Sequence, residues 1–264
     1  MNIKRLSGMI AAFFILLTFP VVFFAEEKKE TEENFEIPSH VLDISKENTV
    51  QSDDSDNEVV EPSKETKELL DSASVAIENS ELIQQLNETS IDPSPIGFGY
   101  RGEIYLGRWP LQYESLETGV NWEYQAINKN EFQNGPDGQQ EMNYIQQEHK
   151  EIKGMLTNKI ANAETVRKMV LQKAKDKTKL PLSYEVEIGR NTKMAHGYPV
   201  PPEKLGILEA YTPAVHEKGR VTFGEVYIQL KGTKKQLTIK NVTKQGIGAW
   251  IPVQNHLSYS FQVK

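Results

Sequence analysis

The sequence predicts an α+β fold: one domain with a mostly antiparallel β-sheet and two or three helices, preceded by a signal or anchor and a disordered acidic tether. Three observations predict it. Short alternating segments separated by turns dominate from residue 182 to the end. Apolar stripes at helical spacing are few, and clear only over residues 63–87 and 162–178. No glycine-rich phosphate loop or regular strand–helix alternation signals a parallel sheet.

The N-terminus comes first. Lys4 and Arg5 precede an uncharged stretch from Leu6 to Ala25, and Glu26-Glu27-Lys28-Lys29 follows it. That order is the order of an export signal, with cleavage after Ala25. Phe23 departs from the small residue preferred at its position, and the stretch is long enough to span a bilayer. An uncleaved anchor is therefore the second reading. Either way, residues 26–264 are expected outside the cytoplasm, and membrane contact is expected only through residues 1–25.

Charge divides the chain further. Residues 26–67 hold 14 acidic and 5 basic residues, whereas residues 68–264 hold 23 of each. The formal charge of -7 thus belongs to a segment, and the neutral remainder excludes a nucleic-acid partner. Residues 26–62 read as a solvated tether, most clearly Gln51–Glu58. One island, Ile37–Ile44, alternates and is able to add a short edge strand or dock on the domain. The absence of cysteine excludes disulfides, thiolate metal sites and thiol catalysis.

The globular domain is expected over 63–264. Ser63 can cap a helix whose apolar residues are Leu70, Ala73, Ile77, Ile83 and Leu86, with Asn79-Ser80 as a point of interruption. Tyr100–Trp109 and Trp122–Asn128 read as strands, and Asn134–Gly138 as a turn. Residues 139–153 fit either a helix face or a hairpin return, and the hairpin matches the preceding strand better. A helix over 162–178 is expected, with Asn162 as its cap and Val166, Met169, Val170 and Ala174 on its apolar face. Strands follow at Leu182–Ile188, Leu205–Tyr211, Arg220–Leu230, Gln236–Val242, Gly246–Val253 and Leu257–Val263. Lys231–Lys234 reads as a hairpin loop, and Met194–Pro202 as a stiff loop.

Two constellations carry candidate chemistry. Glu103 and Glu123, each among aromatics, are the first choice for a carboxyl pair that could hydrolyse a glycoside. Carboxylates alternating on a solvated sheet face are the commoner arrangement. Tyr100, Arg101, Tyr105, Arg108 and Trp109, with Tyr113, Trp122 and Tyr124 beyond, could form a platform. Rings stack on sugars or peptide, and arginine grips carboxylate or phosphate. The five histidines show no metal-ligand spacing, so no metal and no cofactor are expected.

Tyr100–Leu111 and His196–Pro202, with the signal and tether, resemble the YfkD-like family of exported proteins from Gram-positive bacteria. The resemblance covers essentially the whole chain and implies origin and export. It carries over no functional residue. The leading expectation is a non-enzymatic envelope module for a cell-wall polymer or another envelope protein. A wall glycan or peptide hydrolase is the second, and an inhibitor or chaperone-like partner of exported proteins the third.

Overall fold

The computed structural model describes residues 35–50, 60–89, 101–232 and 234–264. The expected signal or anchor, the run Gln51–Glu58 and Tyr100 lie outside the described residues. Glu33–Lys264 form one compact unit. Among the described residues no helix is long and apolar enough to cross a membrane.

The fold is an α+β arrangement built on one strand pair. Strand β2 (Arg101–Gln133) runs antiparallel to β8 (Leu205–Lys231), in register from Arg101↔Lys231 to Gln133↔Leu205. On its other side β8 pairs first with β10 (His256–Val263) and then with β9 (Lys234–Pro252). The expected hairpin loop closes β8 onto β9, with Lys231 opposite Lys234. The island near residue 41 does add an edge strand: β1 (Val41–Asp43) pairs with β10. The short β5 (Met155–Leu156) pairs with β9.

Several separate segments expected from the sequence are continuous strands. Leu205–Tyr211 and Arg220–Leu230 are both β8, and Gln236–Val242 and Gly246–Val253 are both β9. Pro213 lies inside β8 because the ladder is interrupted there. Four steps of β2, from Asn121 to Gln125, span only the two from Ala214 to Thr212. A residue without an N–H is tolerated at such a bulge. β2 carries five register shifts in all. Together with Pro110, they break up what would otherwise be a long open edge. Glu78 N–H and the Asn79 amide close that edge further, by donating to the Leu111 and Pro110 carbonyls.

Residues 139–153 hold two short strands, neither of which returns along β2. β3 (Gln140–Ile145) pairs with β7 (Lys193–Val200), and β4 (Lys150–Lys153) with β6 (Glu185–Ile188). The stiff loop expected over Met194–Pro202 is therefore mostly strand. Pro199 fits because it stands in a two-stranded sheet. Gly197 leaves room for the Glu141 side chain across the pair.

Helix α1 (Lys64–Asp71) begins at Ser63, whose hydroxyl accepts from Thr66 N–H as expected. The stripe breaks over residues 72–79, and α2 (Ser80–Glu88) starts afresh from Asn79. The Asn79 side-chain oxygen accepts from the N–H groups of Glu81 and Leu82, so the same side chain caps α2 and ties it to β2. Helix α3 (Ala163–Thr178) lacks the expected cap. Asn162 takes a left-handed conformation (φ 52°) and makes no side-chain capping bond.

The core consists of three clusters strung along β8. Leu208 and Ala210 belong to one, with β3, β4, β6 and β7 supplying Tyr144, Ile152, Ile188 and Val200. Val215, Val221 and Phe223 belong to a second, under Val166, Val170 and Ala174 of α3. Val226 and Ile228 belong to a third, under Leu82 and Leu86 of α2. Side chains alternate faces along a strand. The buried face of β8 thus switches from even-numbered to odd-numbered positions and back.

The middle cluster holds a fully buried carboxylate, Glu217. It accepts from the Tyr113 hydroxyl at 3.1 Å and the Thr118 hydroxyl at 2.7 Å. A chain of contacts leads outward from Thr118 to Ser115 at 3.3 Å and on to Lys177 at 2.9 Å. Burial first, and the neighbouring Glu217 second, push the Tyr113 phenol well above its usual range, so it remains a donor. A buried polar group stripped of its partner costs about 1–3 kcal/mol. Tyr113→Phe and Thr118→Val should each destabilise the protein by about that amount. Urea unfolding checks this, and no change in midpoint for either variant would contradict the role given to Glu217.

Candidate functional site

Where β8 buries Val226 and Ile228, its odd-numbered residues Glu225, Tyr227 and Gln229 face the opposite way. Their β2 partners are Arg108, Tyr105 and Glu103, and their β9 partners Lys240, Thr238 and Gln236. This three-stranded face gathers Arg101, Tyr105 and Arg108 of the platform expected from the sequence. Tyr105 is 55% exposed, and its ring lies 4.9 Å from that of Tyr227. Lys240 Nζ sits 4.3 Å above the Tyr227 ring and 2.7 Å from Glu103 Oε1. Gln229 donates to the same carboxylate oxygen at 3.2 Å. The hydrogen bond from Lys240, and then that from Gln229, hold the Glu103 carboxyl below its usual range.

Glu225 is held by neutral groups. It accepts from the Tyr227 hydroxyl at 3.0 Å and the Asn241 amide at 2.8 Å. Arg108 stands opposite Glu225 but donates elsewhere, to the Asn241 carbonyl at 3.2 Å and the Thr243 hydroxyl at 2.6 Å. Its guanidinium covers the Phe223 ring at 6.0 Å.

A bulge collects these residues. Arg101, Glu103 and Tyr105 share a face by alternation, and Arg108 would point away if the alternation continued. The register shift between Tyr105 and Gly107 inserts one residue and brings Arg108 back. Gly107 has φ 113°, and a Cβ there would lie 3.2 Å from Trp109 Nε1. The same shift sends Trp109 to the other side, where it packs on the third cluster and donates to the Leu106 carbonyl. Trp109 is thus separated from the platform.

The remaining sequence candidates lie elsewhere. Glu123 is also on β2, but roughly sixteen residues of β8 separate its position from that of Glu103, on the order of 50 Å along the strand. Paired carboxyls of a glycosidase stand about 5–10 Å apart, so these two do not form such a pair. Tyr113 is buried on Glu217, and Trp122 packs on the middle cluster. Tyr124 stacks on Trp250 at 5.0 Å, with His216 4.6 Å from the same indole. His216 is an even-numbered residue of β8, so this second aromatic group occupies the opposite face.

Sequence reasoning missed Tyr227, Lys240 and Asn241. The alternation Glu225-Val226-Tyr227-Ile228-Gln229 was the available signal for the first. Nothing local marks the other two, which reach the site through the β8–β9 register.

Two outcomes check this geometry. By NMR titration the Glu103 carboxyl should protonate below a free glutamate, and Lys240→Met should move its midpoint upward. The sign follows from Lys240 favouring the ionised form: the pair persists as pH falls, until Glu103 passes its lowered midpoint. Gly107→Ala should destabilise the fold by about 1–3 kcal/mol, because a side chain there is strained. Thermal melts read this, and an unchanged melting temperature would contradict the bulge.

A family model described as YfkD-like protein matches residues 38–264. "Uncharacterized protein YfkD" of Bacillus subtilis (strain 168) is 50% identical over 242 residues, covering 91% of this chain and 92% of the relative. Among solved structures, the crystal structure of Lamprey immune protein aligns with a TM-score of 0.27 and 7% identity, over 61% of this chain and 53% of that one. A score that low does not make the two folds one.

Proposed function

This chain belongs to the YfkD-like family, and from that premise we propose that it is a non-enzymatic, extracytoplasmic module that binds a cell-wall polymer. The observation that carries the reading is the solvent-facing Tyr105–Tyr227 pair, framed by Glu103, Lys240, Glu225 and Arg108 on an open sheet. The exposed Tyr105 ring, tilted 37° to that of Tyr227, offers an apolar surface to sugar or polyol units, and the surrounding side chains offer hydrogen bonds. An open face accepts a chain of any length. Glu103 is poorly suited to donate a proton, because Lys240 and Gln229 stabilise its ionised form.

The extracytoplasmic placement rests on Lys4, Arg5 and the uncharged stretch Leu6–Ala25. If that segment stays uncut it is also the membrane contact.

Mixing the full-length protein with labelled wall sacculi and centrifuging tests the reading. The protein should pellet without releasing label. Tyr105→Ala and Tyr227→Ala should each weaken pelleting about tenfold, the effect of losing roughly 1.4 kcal/mol of stacking. Glu123→Gln should change nothing. Release of label would replace this reading with a hydrolase, and protein left in the supernatant would exclude wall polymer as the ligand.

A further inference from the structure

Resting on that reading, we propose that the polymer recognised by the Tyr105 face is a polyanion, a chain of polyol or sugar units joined through phosphodiesters. The face is cationic within an acidic protein. By register it carries Arg101, Arg108, Lys231, Lys234 and Lys240 against only Glu103 and Glu225. The formal charge of -7 arises in residues 26–67, so it does not describe this surface.

The arrangement withholds the cations from neutralisation. Glu103 is taken by Lys240 and Gln229. Glu225 stands directly opposite Arg108, where an ion pair would be the expected contact. Asn241 prevents it from both sides: its amide holds Glu225, and its carbonyl holds Arg108. Asn241 can do both because it sits at the β9 bulge between Phe223 and Glu225 with φ 51°. Arg108 is therefore fixed by a carbonyl and a hydroxyl, keeps its full charge, and retains further N–H donors. Among the described residues, Arg101, Lys231 and Lys234 make no ion pair.

The opposite face of the same strands is built differently. There Lys218 pairs with Glu117 at 3.0 Å and Lys244 with Glu114 at 3.8 Å. Arg220 stands on that face as well, opposite Glu114, so what distinguishes the Tyr105 face is that its cations flank the tyrosine pair. Arginine presents a planar fork that matches phosphate oxygens in two bonds, and the charge-assisted contacts are the strong ones. Arg101 and Arg108 lie six β8 residues apart, from Lys231 to Glu225, or about 20 Å along the strand. The tyrosine pair lies between them. A linear chain could place phosphates at both arginines and an uncharged unit on the rings.

The test titrates the full-length protein with poly(glycerol phosphate) and repeats the pelleting with sacculi stripped of phosphate polymer. Binding to poly(glycerol phosphate) should be saturable and weaken steeply with salt. Arg101→Gln and Arg108→Gln should each lower affinity tenfold or more at an unchanged melting temperature, and Arg108→Lys should recover only part. Asn241→Ala removes the amide that holds Glu225 while the backbone carbonyl of residue 241 stays, so the released Glu225 can pair with Arg108 opposite it, and affinity should fall and the salt dependence flatten. Stripped sacculi should no longer pellet the protein. Equal pelleting with stripped and intact sacculi would overturn the polyanion while leaving the wall-binding reading standing. Pelleting with neither would overturn both. Binding to vesicles containing phosphatidylglycerol, with the same arginine dependence and none to the polymer, would overturn it in favour of a lipid headgroup.

Discussion

The structure depends on one constraint: side chains on a strand alternate faces, and β8 must serve three cores lying on alternating sides. Even-numbered residues are buried at Leu208 and Ala210, odd-numbered ones at Val215, Val221 and Phe223, and even-numbered ones again at Val226 and Ile228. At the crossings both faces are covered. Ala214 and Val215 are fully buried at the first, and at the second Val226 is fully buried and Phe223 nearly so. A one-residue slip would expose all three clusters together, so the register of β8 is strongly determined. The constraint also decides what is left exposed. Tyr227 and Glu225 face solvent because Val226 and Ile228 do not.

A long strand under such a rule needs local relief, and β2 provides it. Its five shifts let a 33-residue strand follow a 27-residue partner. Gly219 and Gly224 of β8 serve the same purpose from the other side. A Cβ at Gly219 would collide with the Tyr113 ring and the Glu114 carbonyl, and one at Gly224 with Leu111 and Ile239. Close approach at Gly219 is what lets the Tyr113 hydroxyl reach Glu217. The buried carboxylate then fixes the Thr118 segment against the middle of β8, with the chain of contacts to Lys177 leading toward the surface. Stability of the middle cluster and the path of β2 are thus coupled through one acid.

The sequence made the local pieces legible. The α+β class, the cap at Ser63, the hairpin at Lys231–Lys234 and the edge strand near residue 41 all followed from nearby residues. Continuity did not: Pro213 and Gly219 carry the composition of turns while standing in the β8 ladder, and the polar run Thr243–Gln245 does so in β9. β7 was hidden in the same way by Gly197 and Pro199. Asn162 failed as a cap because its backbone is left-handed, a conformation that asparagine adopts more readily than most residues and that competes with its use as a cap. Of the platform, Arg101, Tyr105 and Arg108 converge, but Trp109 belongs to a core. Glu103 was singled out as an acid, whereas its partner Lys240, 137 residues away, makes it a fixed counter-charge.

The division between Arg108 and Trp109 shows how a bulge can sort a recognition surface. Read as an unbroken strand, Tyr105 and Trp109 would share a face and Arg108 would oppose them. One inserted residue at Gly107 reverses this, giving the arginine to solvent and the indole to the α2 side of the sheet. The second shift, on β9, then supplies Asn241 where Arg108 and Glu225 would otherwise meet. Regular pairing alone would have set Arg108 against Glu225, as Lys218 meets Glu117 on the opposite face. The exposed charge at the tyrosine pair is therefore a product of the two irregularities, each placed on a different strand and both acting on the same arginine.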